Sequence, residues 1–152
     1  MELSFTHVGI TVSDLEASVK FYEEVFGFNC SNRVTFDEKF LAQAPDLYKL
    51  TGTMAKVAFM VSPNGIVLEM FQFIPDQPDN GLFAWNRPGY THICITLEDL
   101  HEFSKHMHAK NVHFCMDVLE RWDGGHWVFV QDPDGNLIEV NEPMRRNSND
   151  HH

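Results

Sequence analysis

Two histidines and two glutamates recur in this 152-residue chain at fixed offsets, and residues of these types can hold a cation or move a proton. His7 in HVGITVSDL is repeated as His92 in HICITLEDL, 85 residues on, with Ile10, Thr11, Asp14 and Leu15 falling on Ile95, Thr96, Asp99 and Leu100. Glu69 in GIVLEM is repeated as Glu139 in GNLIEV at an offset of 70, so the first copy holds 15 residues more than the second. Neutral imidazole nitrogen and carboxylate oxygen are borderline-to-hard donors for a divalent ion, with water completing the shell. A lone strand histidine is usually a hydrogen-bonded core residue and a lone strand glutamate is usually solvated. Recurrence of both, each at one offset, is what favours a metal here.

The elements that would position these side chains follow from periodicity. Residues 5–12 alternate, with Val8, Ile10 and Val12 on one face and His7, Gly9 and Thr11 on the other, which predicts a strand. Ser13-Asp14 offers an N-cap to a helix carrying Leu15, Val19, Tyr22, Val25 and Phe26 until Gly27 stops it. A weaker strand spans 28–36, and 37–50, which matches nothing in the second copy, reads as an inserted helix and loop interrupted by Pro45. Strands at 56–61 and 66–73 flank the turn Ser62-Pro63-Asn64-Gly65. Pro75, Pro78, Gly81, Pro88 and Gly89 mark a linker over 74–89. The order then repeats as a strand over 90–97, a helix over 98–110, a short strand over 112–116, and a hairpin of 127–131 with 136–141. Each copy is strand, helix, strand, strand, strand, an α+β arrangement in which the sheet face opposite the helix can line a cleft.

The side-chain period of two decides which residues reach that cleft. If Val8, Ile10, Val12, Ile93, Ile95 and Leu97 pack under the helices, His7 and His92 point the other way. Leu68 and Met70 flank Glu69, and Ile138 and Val140 flank Glu139, so both glutamates join them. A carboxylate beside Phe71, Phe73 and Cys94 costs several kcal/mol unless it is paired or bound to a cation. No Lys or Arg stands on these strands to pair it.

The segments HVGITVSDLEASVKFYEEVFGF, GIVLEMFQF, HICITLEDL and FVQDPDGNLIEVNEP resemble the signature segments of the vicinal oxygen chelate superfamily, which includes glyoxalase I, methylmalonyl-CoA epimerase, extradiol dioxygenases and fosfomycin- and bleomycin-resistance proteins. The resemblance runs from His7 to about Pro143. It implies two tandem βαβββ modules, at about 5–73 and 90–142 of a single domain over 1–143, whose curved mixed sheets enclose a metal-binding cleft. The family's ligand positions fall on His7, Glu69, His92 and Glu139, with one divalent ion, Ni, Zn, Co, Mn or Fe, as cofactor. Four protein ligands leave about two positions of an octahedral ion open, which favours the glyoxalase and epimerase branch. There the metal polarises a carbonyl and a glutamate moves the adjacent proton; Glu139 is the expected base and Glu69 its opposite number. Thr11 and Phe73 stand where bacterial glyoxalase I places an Arg and an Asn toward glutathione. The expected function is a metal-dependent lyase or isomerase of a small molecule, a thioester or thiol conjugate among the candidates. The alternatives are a ring-cleaving dioxygenase and a non-enzymatic binding protein. A homodimer is expected, as is common in the superfamily.

Further candidates surround the quartet. Phe71, Phe73, Phe83, Trp85, Trp122 and Trp127 could wall an apolar substrate pocket or simply fill the core. Asp123-Gly124-Gly125-His126 reads as an ordinary turn or as a lid whose His126 touches substrate; Phe71, Phe73, Trp122 and His126 are the expected substrate contacts. His101, His106 and His108 read as a solvated helix face. The net charge of -11, with only 11 Lys and Arg, excludes a nucleic-acid partner. No apolar stretch approaches the roughly 18 residues of a membrane span, so a cytoplasmic location is expected. Cys30, Cys94 and Cys115 are odd in number and lack metal-type spacing, which predicts reduced, mostly buried thiols. The polar tail 144–152 reads as disordered.

Overall fold

The computed structural model describes residues 3–76, 84–86 and 88–143. Phe83, much of the expected linker and the tail 144–152 lie outside the described residues. The fold is α+β and is built from two compact units, each a βαβββ module with one open, mixed sheet.

In the first unit, β1 (His7–Thr11) leads into α1 (Leu15–Phe26), followed by β2 (Asn29–Phe36), β3 (Met54–Val61) and β4 (Val67–Ile74) in the sheet order β1-β4-β3-β2. The β1 strand runs parallel to β4 and the other pairings are antiparallel, because α1 carries the chain across the sheet before the hairpin closes it. Asp14 caps α1, its carboxylate accepting from the Ala17 N–H at 3.1 Å. Gly27, at φ 68°, ends it with a reversed turn in which the Gly27 N–H donates to the Glu23 carbonyl and the Phe28 N–H to the Tyr22 carbonyl. Leu15, Val19 and Tyr22 on the helix and Ala58, Met60, Leu68 and Met70 on the sheet are buried together as the core. Each large apolar side chain sequestered in this way contributes roughly 1.5–3 kcal/mol.

The inserted segment folds as two single-turn helices, α2 (Glu38–Leu41) and α3 (Pro45–Tyr48). Phe40 of α2 stacks on Phe36 of β2 at 4.3 Å between ring centroids. Because Phe36 pairs with Ala55 and Ala55 with Phe73, this stack stands on the sheet face that also carries Glu69.

The second unit repeats the plan with β5 (His92–Thr96), α4 (Leu100–Ala109), β6 (His113–Phe114), β8 (His126–Gln131) and β9 (Leu137–Asn141). It adds a strand the sequence pattern did not show, β7 (Leu119–Glu120). Both β6 and β7 pair with β8, at registers two residues apart, so together they form one edge strand interrupted by a bulge. Ile138, Val140, Val128 and Val130 of the sheet are buried with Leu100 and Met107 of α4. Among the described residues no helix is long and apolar enough to cross a membrane.

Candidate metal and proton-transfer site

Strand alternation places His7 and Glu69 on the sheet face away from α1, as the period of two requires. His7 Nε2 lies 3.2 Å from Glu69 Oε2, with the histidine side chain 49% exposed and the glutamate 14%. Thr6 Oγ1 lies 2.9 Å from His7 Nδ1. The second unit repeats each of these contacts: His92 Nε2 stands 3.2 Å from Glu139 Oε2, with side chains 27% and 24% exposed, and Thr91 Oγ1 stands 2.8 Å from His92 Nδ1. Thr6 and Thr91 share the histidine offset of 85, a signal that lay in the sequence one residue before each histidine.

The donor chemistry fits a divalent cation. Two ligand atoms bound side by side to one ion at about 2.1 Å each stand about 3 Å apart, close to the 3.2 Å seen in both pairs. The threonines supply the flexibility such an ion needs. Each threonine hydroxyl can donate to Nδ1 or accept from it, according to the tautomer of the ring. With a cation on Nε2 the ring proton would sit on Nδ1, and the same hydroxyl would accept it. Among the described residues no group of three or more His, Cys, Asp or Glu side chains is gathered as a metal cluster, and each His–Glu pair lies within its own unit.

What surrounds the pairs differs. In the first unit Glu69 lies beside Gly9 on β1, where an added Cβ would come 3.7 Å from the Phe71 ring. Phe71 and Phe73 share the face of Glu69, their rings stacked at 5.9 Å, with Phe36 6.2 Å from Phe71. In the second unit Glu139 lies beside Cys94, and the residue two beyond it is Asn141. The Asn141 Nδ2 donates to Glu139 Oε1 at 3.2 Å and to Cys94 Sγ at 3.2 Å, while its Oδ1 accepts from Thr96 Oγ1 at 2.8 Å. Loss of water and the Glu139 carboxylate push the Cys94 thiol up to about 11, so it stays protonated at neutral pH.

Beside His92 opens an apolar pocket of about 460 Å³ lined by Trp85, Cys115, Met116, Trp127, Phe129 and Leu137. Phe129 pairs with Glu139 across the hairpin, and its ring meets His92 edge-on at 5.0 Å between centroids, with Trp85 5.5 Å from each.

Of the expected substrate contacts, Phe71 and Phe73 stand on the face of Glu69. Trp122 is 81% exposed in the turn between β7 and β8. His126 falls on the helix side of its sheet, opposite to Glu139, because it pairs with Glu142 rather than with a residue of the open face. Its Nδ1 lies 3.0 Å from Glu142 Oε2, and its ring packs edge-on against His101 at 4.5 Å. Trp85 and Trp127, members of the same aromatic group, line the pocket instead. The three cysteines are free as expected, but Cys94 and Cys115 are exposed rather than buried, since both stand on or beside the open face. Asn141 was not singled out from the sequence, because the repeat carries Phe71 at its position.

The chain is 30% identical over 151 residues to a lactoylglutathione lyase of Pseudomonas putida, covering 91% of this chain and 84% of that protein. It is 26% identical over 140 residues to a lactoylglutathione lyase of Schizosaccharomyces pombe, where the match covers 88% of this chain but only 45% of the longer relative. Among solved structures, a glyoxalase family protein from Bacillus cereus superposes with a TM-score of 0.80 at 22% identity, covering 95% of this chain and 97% of that one. A fosfomycin resistance protein from Listeria monocytogenes, solved with Mn(II) and sulfate, superposes with a TM-score of 0.62 at 16% identity, covering 94% of each chain. The family profile described as the Glyoxalase/Bleomycin resistance protein/Dioxygenase superfamily matches residues 4–140, and the chain belongs to that superfamily.

Proposed function

We propose that the chain is a divalent-metal-dependent lyase or isomerase that moves a proton on the carbon next to a carbonyl. The observation that carries this reading is the duplicated His–Glu pair, with the same 3.2 Å separation and the same threonine behind each imidazole. His7 and Glu69 in the first unit and His92 and Glu139 in the second are the donors that would hold a divalent ion. When bound, the ion supplies Lewis-acid polarisation of the substrate carbonyl. Glu139 takes the proton from the adjacent carbon and returns it, its Oε1 being held by Asn141. The apolar pocket beside His92 keeps water from that face and suits a substrate with an apolar substituent. The similarity to lactoylglutathione lyases favours a hemithioacetal as substrate, although Thr11 and Phe73 offer no charged group to a peptide carboxylate.

The test is elemental analysis of the untagged protein, followed by assay of the metal-loaded form with the hemithioacetal of methylglyoxal and glutathione. A bound divalent ion together with turnover is the expected result. A protein that takes up no divalent ion would overturn the lyase reading and favour a binding module. Oxygen uptake with a catechol would favour a dioxygenase.

A further inference from the structure

We infer that Asn141 is a positioning residue that makes Glu139, and not Glu69, the mobile carboxylate of the site. The inference rests on the proton-transfer role proposed for Glu139.

The two glutamates meet their histidines alike, each through Oε2 at 3.2 Å from Nε2. They differ at the second oxygen. Glu139 Oε1 accepts from the Asn141 amide, whereas the residue two beyond Glu69 is Phe71, which has no donor to offer. The orientation of the amide is dictated by its partners. A carboxylate only accepts, so the NH2 group must face Glu139, and Oδ1 is left to the Thr96 hydroxyl. Both amide protons and the amide oxygen are therefore engaged, with Glu139, Cys94 and Thr96, and the side chain is clamped from three sides. A carboxylate that shifts between a histidine-facing position and a substrate carbon needs a fixed donor to pivot on. Asn141 provides one for Glu139, while the Phe71 ring offers Glu69 only an apolar wall. Rigidly held partners of this kind align a reacting group without touching the substrate.

The test begins with the metal-free full chain labelled with nitrogen-15, in which long-range proton–nitrogen spectra report each imidazole. Asn141→Leu removes the donor at similar size, and Thr96→Val removes the hydroxyl that orients it. We expect the His92 ring signals to shift in both variants, more in Asn141→Leu, while the His7 signals stay in place as an internal control. In the cobalt-loaded enzyme acting on the hemithioacetal of methylglyoxal and glutathione, Asn141→Leu should lower kcat about ten-fold with KM nearly unchanged, and Asn141→Gln should restore most of it. Unchanged His92 signals in both variants, or His7 signals that shift as far as those of His92, would overturn the inference. If Asn141→Leu does not fold, Thr96→Val decides the matter alone. A wild-type protein inactive on the hemithioacetal would defeat that substrate assignment, while the ring spectra would still decide the role of Asn141.

Discussion

The two units carry one plan and two surface chemistries. Each presents a histidine backed by a threonine and facing a glutamate, yet the neighbours of that pair are aromatic in the first unit and polar in the second. Gly9 and Phe71 stand where the second unit has Cys94 and Asn141. The same divergence appears behind the sheets. Gln72 in the first unit and Glu142 in the second both accept the N–H of the residue that opens the helix, from Leu15 at 3.1 Å and Leu100 at 3.2 Å. Opposite Gln72 stands Lys56, whereas Glu142 faces His126 and takes two hydrogen bonds from it. The groups that set geometry are the same in both units, and the groups beside them differ.

Substitutions in matched positions can break or sharpen this contrast. The largest effect is expected from Glu139→Gln, which removes the proposed base and should lower kcat by about 10²–10⁴. Glu69→Gln should cost distinctly less, with circular dichroism showing both variants folded. Equal losses of kcat would mean that the two carboxylates share the proton transfer.

Core truncations should instead treat the units alike. Leu68→Ala and Ile138→Ala each remove a buried side chain from the helix side of a sheet and should cost about 2–5 kcal/mol in denaturant unfolding. A much smaller cost in one unit would show that its core collapses around the gap.

The Gln72 and Glu142 positions come next in size. Burial pushes the Glu142 carboxyl up, but the hydrogen bonds from the His126 ring and from the backbone N–H groups of Leu100 and His126 outweigh it and leave it below the ordinary carboxyl range. A depressed folded value means that this stabilisation is complete above the ordinary value of 4.5 and disappears as pH falls through the folded one. Glu142→Gln keeps the acceptor for Leu100, loses roughly 1.5–3 kcal/mol of charge-assisted bonding near neutral pH, and should flatten the acid limb of the stability profile. An unchanged acid limb would remove Glu142 from that role. The reciprocal Gln72→Glu places a carboxylate opposite Lys56 near the surface and should change stability by about 1 kcal/mol or less.

Smallest and most symmetric are the caps. Asp14→Ala and Asp99→Ala should each cost about 1 kcal/mol in thermal or denaturant unfolding, since each carboxylate accepts one N–H in its helix's first turn. Unequal costs would show that Gln72 and Glu142 share the capping differently.

The amino-acid sequence by itself determined the local plan, because its signals are short-range. Alternation in HVGIT and HICIT set the strands, Asp14 and Asp99 the helix starts, and Gly27 a helix stop, while the shared offsets exposed the duplication. Parity alone put His7, Glu69, His92 and Glu139 on the faces away from the helices. The bulge that creates β7 was not legible, since two-residue strands carry too little pattern to rise above turn chemistry. Only the tertiary structure decided which distant side chains meet. Asn141 reaches Cys94 and Thr96 across 47 and 45 residues of chain, and His126, one of the expected substrate contacts, meets buried Glu142 on the helix side of its sheet. Pairings of that kind depend on strand register and on which face a residue takes, and a periodic pattern gives the face but not the partner.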